Sequence, residues 1–261
     1  MSEVIFNGYA GRLEGRYHQS EKPGAPVALI LHPHPQYGGT MNNKVVYTLF
    51  NCFQKLGFSV LRFNFRSVGR SQGEFEDGPG ELSDATIALD WLQSVNPEAR
   101  QCWIAGYSFG AWVGLQLLMR RPDINNFIAV SPPADEKDFS FLAPCPTSGL
   151  IIQGGADEIG TPSSVAALAK RLNSQRSVQV DFALLEEADH VYNNHLVDLF
   201  KIVGNYVVDA MKKKTPQKKR RGRRRKSELL EGGEHPDLAH EDDYIEEHED
   251  IDEPFDDEDD E

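Results

Sequence analysis

The stretch CWIAGYSFGAWVG, residues 102–114, decides the fold. Residues 102–105 form a short apolar run of the kind that makes a strand buried on both faces. Residues 111–119 continue with the spacing of an apolar helix, and Gly106-Tyr107-Ser108-Phe109-Gly110 stands between the two. A glycine on each side of the serine removes the side chains that would clash in so sharp a strand-to-helix turn. Such a turn lifts the serine hydroxyl above the sheet and points the N-terminus of the next helix at it, where negative charge is favoured. A G-x-S-x-G match alone is weak, and its plain alternative is a glycine-rich turn with serine as N-cap. The context has to carry it.

Reading outward from that stretch, strands and helices alternate. Strands are expected at 3–7 and 12–18, as an antiparallel start, then at 27–31 (VALIL), 59–65, 127–130, 149–153 and 178–185. Helices are expected at 43–56, where Val46, Leu49, Phe50 and Phe53 share a face, and at 81–92, 163–172 and 191–211. The alternation implies an α/β protein, with a mainly parallel sheet and helices on both faces. In such sheets the chemistry gathers in loops beyond the carboxyl ends of the strands.

A serine hydroxyl needs a base, and the base needs an acid to orient it. Where a nucleophile sits in this kind of turn, the acid and then the histidine follow along the chain. Asp157, in GGADEIG after the strand at 149–153, and His190, in EEADHVYN after the strand at 178–185, fall in those places. Glu158 and Asp189 read as solvated loop carboxylates, and His195 as a structural histidine about one turn into the last helix. An oxyanion needs backbone N–H donors. One is expected from Phe109, the residue after the nucleophile. The other is expected from His32-Pro33-His34-Pro35-Gln36 after VALIL, where the prolines have no N–H and His34 is favoured over Gln36. A metal site at His32 and His34 is set aside, because no nearby cysteine or carboxylate completes a ligand set.

Composition bounds the rest. The full 261-residue chain carries −14, but unevenly. Residues 212–226 (KKKTPQKKRRGRRRK) hold 11 of the 27 basic residues, and residues 228–261 hold 19 of the 41 acidic ones. The 16 basic and 22 acidic residues before position 212 leave the body at −6, and the tail carries −8. One folded domain is therefore expected over 1–211, with a disordered tail over 212–261, basic to 226 and acidic from 227. The basic run is either a solubilising tail or an arm for weak nucleic-acid or other polyanion contact. Three scattered cysteines, no signal peptide and no membrane span point to the cytoplasm.

Four stretches carry a resemblance to a family: LHPHPQYGGTMNNKVV (31–46), RFNFRSVGRSQGEFEDG (62–78), AGYSFGAWVG (105–114) and the GGADEI/EEADHVY pair. The chain resembles the small bacterial α/β hydrolases distantly related to dienelactone hydrolases, over roughly 1–211. The resemblance implies an eight-stranded sheet, the triad Ser108, Asp157 and His190, esterase-like activity and no cofactor; it supplies no substrate, and a small-molecule acyl substrate is the expectation. Only about 16 residues, 133–148, lie between the strand holding SPP (131–133) and the next strand, so an open site or a minimal lid is expected. Tyr37, Phe109, Phe139 and Phe141 are candidate apolar walls, at least two of them being ordinary core on the plainer reading. The expected function is an acyl hydrolase acting through an acyl-enzyme. The alternatives are a peptidase or thioesterase on the same residues, or a polyanion-binding protein with a weak active site.

Overall fold

The computed structural model describes residues 1–175 and 178–212. Eight strands form one sheet: β1 (Ser2–Gly8), β2 (Gly11–His18), β3 (Val27–Leu31), β4 (Ser59–Phe63), β5 (Cys102–Tyr107), β6 (Ile124–Val130), β7 (Gly149–Gly154) and β8 (Val180–Leu185). Their order is β1-β2-β4-β3-β5-β6-β7-β8. β2 pairs antiparallel with both β1 and β4, and every later pairing is parallel. The helices are α1 (Lys44–Lys55), α2 (Pro79–Ser94), α3 (Phe109–Arg120), α4 (Pro162–Asn173) and α5 (Leu196–Lys212).

The continuous apolar runs are explained by cover on both faces. Along β3, Val27, Leu29 and Leu31 join the core built with α2, α3 and α4, while Ala28 and Ile30 join the core built with α1 and α5. Alternate residues point to opposite faces, so a strand covered on both sides must be apolar throughout. Burial of these side chains, at roughly 25 cal/mol per Å² of apolar surface, is the main term holding the layers together.

Two expected boundaries differ. The strand expected to run to Phe65 ends at Phe63. Beyond it Asn64 Oδ1 accepts from Met41 N (2.8 Å), and Phe65 N donates to His32 Nε2 (3.0 Å) rather than to a neighbouring strand. The last helix begins at Leu196, not at 191. Residues 191–195 form turns in which Tyr192 adopts φ 55°, and His195 lies just before the helix, its carbonyl accepting from Leu199 N (2.9 Å). The segment 131–148 holds neither helix nor strand. No described helix is long and apolar enough to cross a membrane. Lys212, expected to open the disordered tail, instead closes α5, and the rest of that tail with its basic arm, 213–261, lies outside the described residues.

Candidate active site

Ser108 stands between β5 and α3 with φ 54° and ψ −120°. A non-glycine residue there is strained, and the surroundings hold it. Ser108 N donates to the Val130 carbonyl (2.9 Å), while its own carbonyl accepts from Ala111 N and Trp112 N. The flanking glycines are obligatory for a reason visible only in three dimensions. A Cβ on Gly106 would run into the Gly110 backbone, and one on Gly110 would lie 2.5 Å from the His32 carbonyl oxygen and 2.6 Å from that of Leu31.

His190 follows β8 and Asp157 follows β7, and the fold brings both to Ser108. His190 Nε2 lies 3.1 Å from Ser108 Oγ, and His190 Nδ1 lies 2.8 Å from Asp157 Oδ2. The acid's other oxygen accepts from Ile159 N (2.9 Å) and Gly160 N (3.1 Å). Burial pushes the Asp157 carboxyl up, but the hydrogen bond and charge of His190, together with backbone donation from Gly160, outweigh it and hold the carboxyl below its ordinary value. An ionised Asp157 favours a proton on His190 Nδ1, an arrangement that would leave Nε2 to accept from Ser108 Oγ. Tyr107 holds the histidine loop from beneath: its hydroxyl donates to the His190 carbonyl (2.7 Å), and its ring lies 5.3 Å from the imidazole.

The loop after β3 supplies the second side. A short 3-10 turn, Pro35–Tyr37, folds back so that Tyr37 N and Gly39 N both donate to the His34 carbonyl. Gln36 N donates to His34 Nδ1 (3.2 Å), so it is already engaged. The N–H groups of His34 and Phe109 have no hydrogen-bond partner among the described residues. Burial holds the His34 ring below its ordinary pKa. His32 is wholly buried beneath this loop, with Nδ1–H donating to the Pro33 carbonyl (2.6 Å) and Nε2 accepting from Phe65 N. Burial pushes its pKa down to about 4. With both nitrogens so engaged, His32 anchors the loop and has no free nitrogen to offer a metal.

A cavity of about 260 Å³ opens beside Ser108, lined by His34, Tyr37, Phe109, Ile159, His190 and Val191 among others. Its rim is open, since Tyr37 is 85% exposed and Ile159 and Val191 are each 45% exposed. Phe139 and Phe141 do not line it, contrary to the expectation. Phe139 is buried in the core on the α2–α4 side and Phe141 packs against that core, because the segment 131–148 uses its aromatics to seal the fold. Among the lining residues that were not foreseen are two charged ones. Lys137 pairs with Asp77 (2.6 Å) and sits over the Trp112 ring (4.7 Å), and Glu136 lies beside it. The only hint in the sequence was their place in a short segment after β6.

The strand order, the strained serine turn and the loops at one end of the sheet define an α/β hydrolase. The pattern of the X-Pro dipeptidyl-peptidase (S15) family matches residues 16–253, and the chain belongs to that family. An uncharacterized protein of Rickettsia prowazekii is 49% identical over 212 residues, covering 80% of this chain and 89% of its own length. A putative α/β hydrolase of unknown function from Agrobacterium tumefaciens is 55% identical with a TM-score of 0.79, the match covering 81% of this chain and 97% of that one. An α/β serine hydrolase without a lid from Xanthomonas campestris is 32% identical with a TM-score of 0.71, covering 80% of this chain and 94% of that one. The protein is a hydrolase.

Proposed function

We propose that the protein is a serine acyl hydrolase that cleaves an ester or related acyl bond through an acyl-enzyme on Ser108. The observation that carries this reading is the unbroken chain from Ser108 Oγ through His190 (3.1 Å) to Asp157 (2.8 Å), starting from a serine held at positive φ. In the reading, Ser108 Oγ attacks the carbonyl carbon as its proton passes to His190 Nε2. The oxyanion that forms takes hydrogen bonds from the N–H groups of Phe109 and His34. His190 then gives the proton to the leaving group, and water releases the acyl group by the same route. The Asp157 carboxylate holds the imidazole orientation and balances its charge.

The small cavity and its open rim support short or exposed acyl groups rather than long chains, and the likeness to a hydrolase described as lacking a lid supports the same view. Dienelactone hydrolase kinship, suggested by LHPHPQYGGT, belongs to the same proposal. A peptidase is the second reading, favoured by the family match over residues 16–253. Three buried, unpaired cysteines support a cytoplasmic setting. The charge run of 212–226 supports weak, salt-dependent polyanion contact, opposed by the acidic block that follows it.

The test is turnover of acetyl, butyryl and palmitoyl p-nitrophenyl esters, a thioester and an aminoacyl-prolyl anilide by the wild type and Ser108→Ala. The reading expects short esters to be cleaved best, and Ser108→Ala to lose about 10⁴-fold or more in kcat. Preferential cleavage of the anilide selects the peptidase reading. Equal ester turnover by Ser108→Ala removes the nucleophile assignment.

A further inference from the structure

One polar side chain behind the acid is left unused by the mechanism above. Gln153 is the fifth residue of β7 and is wholly buried. Its Nε2 lies 3.0 Å from Asp157 Oδ2, 2.7 Å from the Gly160 carbonyl oxygen and 3.2 Å from the Gly154 carbonyl oxygen. All three neighbours are acceptors. Turned end for end, the amide would set its own oxygen against them, so the NH₂ end must face this way. The consequence appears at the other end, where Oε1 is buried with no hydrogen-bond partner among the described residues. A buried unpaired carbonyl oxygen needs a compensating reason. Here the reason is the bridge that the NH₂ group makes between the acid and the loop that closes over it.

That bridge meets the oxygen that matters. Asp157 Oδ2 accepts from Gln153 Nε2 and from His190 Nδ1, whereas Oδ1 is held by the backbone of Ile159 and Gly160. The backbone donors fix the carboxylate's position, and the amide fixes the direction of the oxygen that addresses the histidine. A hydrogen bond donated to that oxygen also draws off part of its charge.

We propose that Gln153 is a positioning residue of the triad: its Nε2–H keeps Asp157 Oδ2 aligned with His190 Nδ1 and limits how strongly the acid–base pair holds a proton. The proposal rests on the serine-hydrolase reading. It extends that reading one residue further from the substrate, to a side chain that touches no reacting atom.

Two substitutions separate positioning from mere packing. Gln153→Met keeps the length and loses the donor. Gln153→Glu keeps the shape and regains a donor only while the new carboxyl is protonated, because its ionised form would face three acceptors. Steady-state hydrolysis of p-nitrophenyl acetate is measured across pH for both variants and the wild type. Gln153→Met is expected to lower kcat about tenfold with KM changed less than about twofold. The acid limb of its kcat/KM profile moves to higher pH, because the freed carboxylate lets the pair keep its proton longer. Its rate relative to wild type therefore rises with pH on that limb. The rate of Gln153→Glu relative to wild type falls as pH rises. A purely structural role would scale each variant by a constant, so flat ratios for both overturn the proposal. Should Gln153→Met fail to fold, the Gln153→Glu ratio decides alone, and a flat ratio again overturns it. Fluorophosphonate labelling of the wild type is run alongside. Labelling at Ser108 with flat ratios removes only the role of Gln153, whereas absence of a Ser108 adduct removes the serine-hydrolase reading beneath it.

Discussion

At the amino ends of β5 to β8 the molecule has a concavity of about 880 Å³, bordered by Gln101, Asn125, Ser148, Gln179, Asp181 and Asp209. At the carboxyl ends lies the cavity beside Ser108, about 260 Å³. The larger hollow is lined by apolar and polar residues together, and polar ones among them serve strand ends: Asn125 Oδ1 accepts from Cys102 N, and Ser148 Oγ accepts from Gln179 N. Backbone strain gathers near the smaller one. Among the described residues, the non-glycine positions with positive φ are Ser67, Asp77, Ser108, Ser131 and Tyr192, and Ser108, Ser131 and Tyr192 each follow the carboxyl end of a strand bordering the Ser108–His190–Asp157 cluster. Size therefore does not mark the site. What marks it is a set of groups held in costly conformations by the rest of the fold.

Substitutions at the two ends of the sheet are expected to differ in effect by orders of magnitude. Asp157→Asn keeps an oxygen for Ile159 N and Gly160 N but presents an NH₂ to His190 Nδ1, forcing the wrong tautomer. Turnover is expected to fall about 10⁴-fold with the fold intact, as kinetics and circular dichroism would show. Near-normal turnover would mean that the acid end of the chain is decorative. Gly110→Ala puts a methyl against the Leu31 and His32 carbonyl oxygens, backbone that cannot swing aside. Urea unfolding should register a loss of about 3 kcal/mol. An unchanged midpoint would show that the turn has slack.

His32 predicts a dependence on acid. Its pKa is about 4 in the fold, against an ordinary 6.5. Between these values the unfolded chain binds the proton and the folded one does not, so stability is full above about pH 6.5 and is lost as pH falls toward about 4. From about pH 7 to 5 the loss attributable to this group is about 2 kcal/mol. His32→Gln keeps an acceptor for Phe65 N and should flatten this limb of the pH–stability curve. Parallel curves for the two proteins would show that the buried ring is not what titrates. The smallest effect belongs to the opposite end of the sheet: Asp181→Asn with Asp209→Asn should leave kcat/KM within about twofold and stability within about 0.5 kcal/mol. A large loss of turnover there would erase the distinction between the two hollows.

Much of this was legible along the chain because it is local. VALIL reads as a strand with two covered faces, and the serine turn declares itself through Gly106 and Gly110. Asp157 and His190 were placed from strand ends, and the structure sets both within hydrogen-bonding reach of their neighbours. What escaped depends on distant chain. Gln153 reads as the polar end of an apolar strand, and its importance emerges only once Asp157 and Gly160 fold back over it. The one signal available was an amide four residues before the acid. Phe139 looked like a pocket wall because it lies in a short exposed-looking segment, but core volume claims it. The last helix begins late because Tyr192 turns inward, its hydroxyl bonding Ser131 Oγ (2.9 Å), a contact no periodicity encodes.

On the proposed mechanism this architecture makes Ser108, and no other hydroxyl, nucleophilic. Treatment of the full chain with a fluorophosphonate, followed by peptide mass spectrometry, tests it most directly. A single adduct on Ser108 is expected, with labelling slowed strongly in Asp157→Asn and absent in Ser108→Ala. An adduct on another residue, or undiminished labelling of Ser108→Ala, would contradict it.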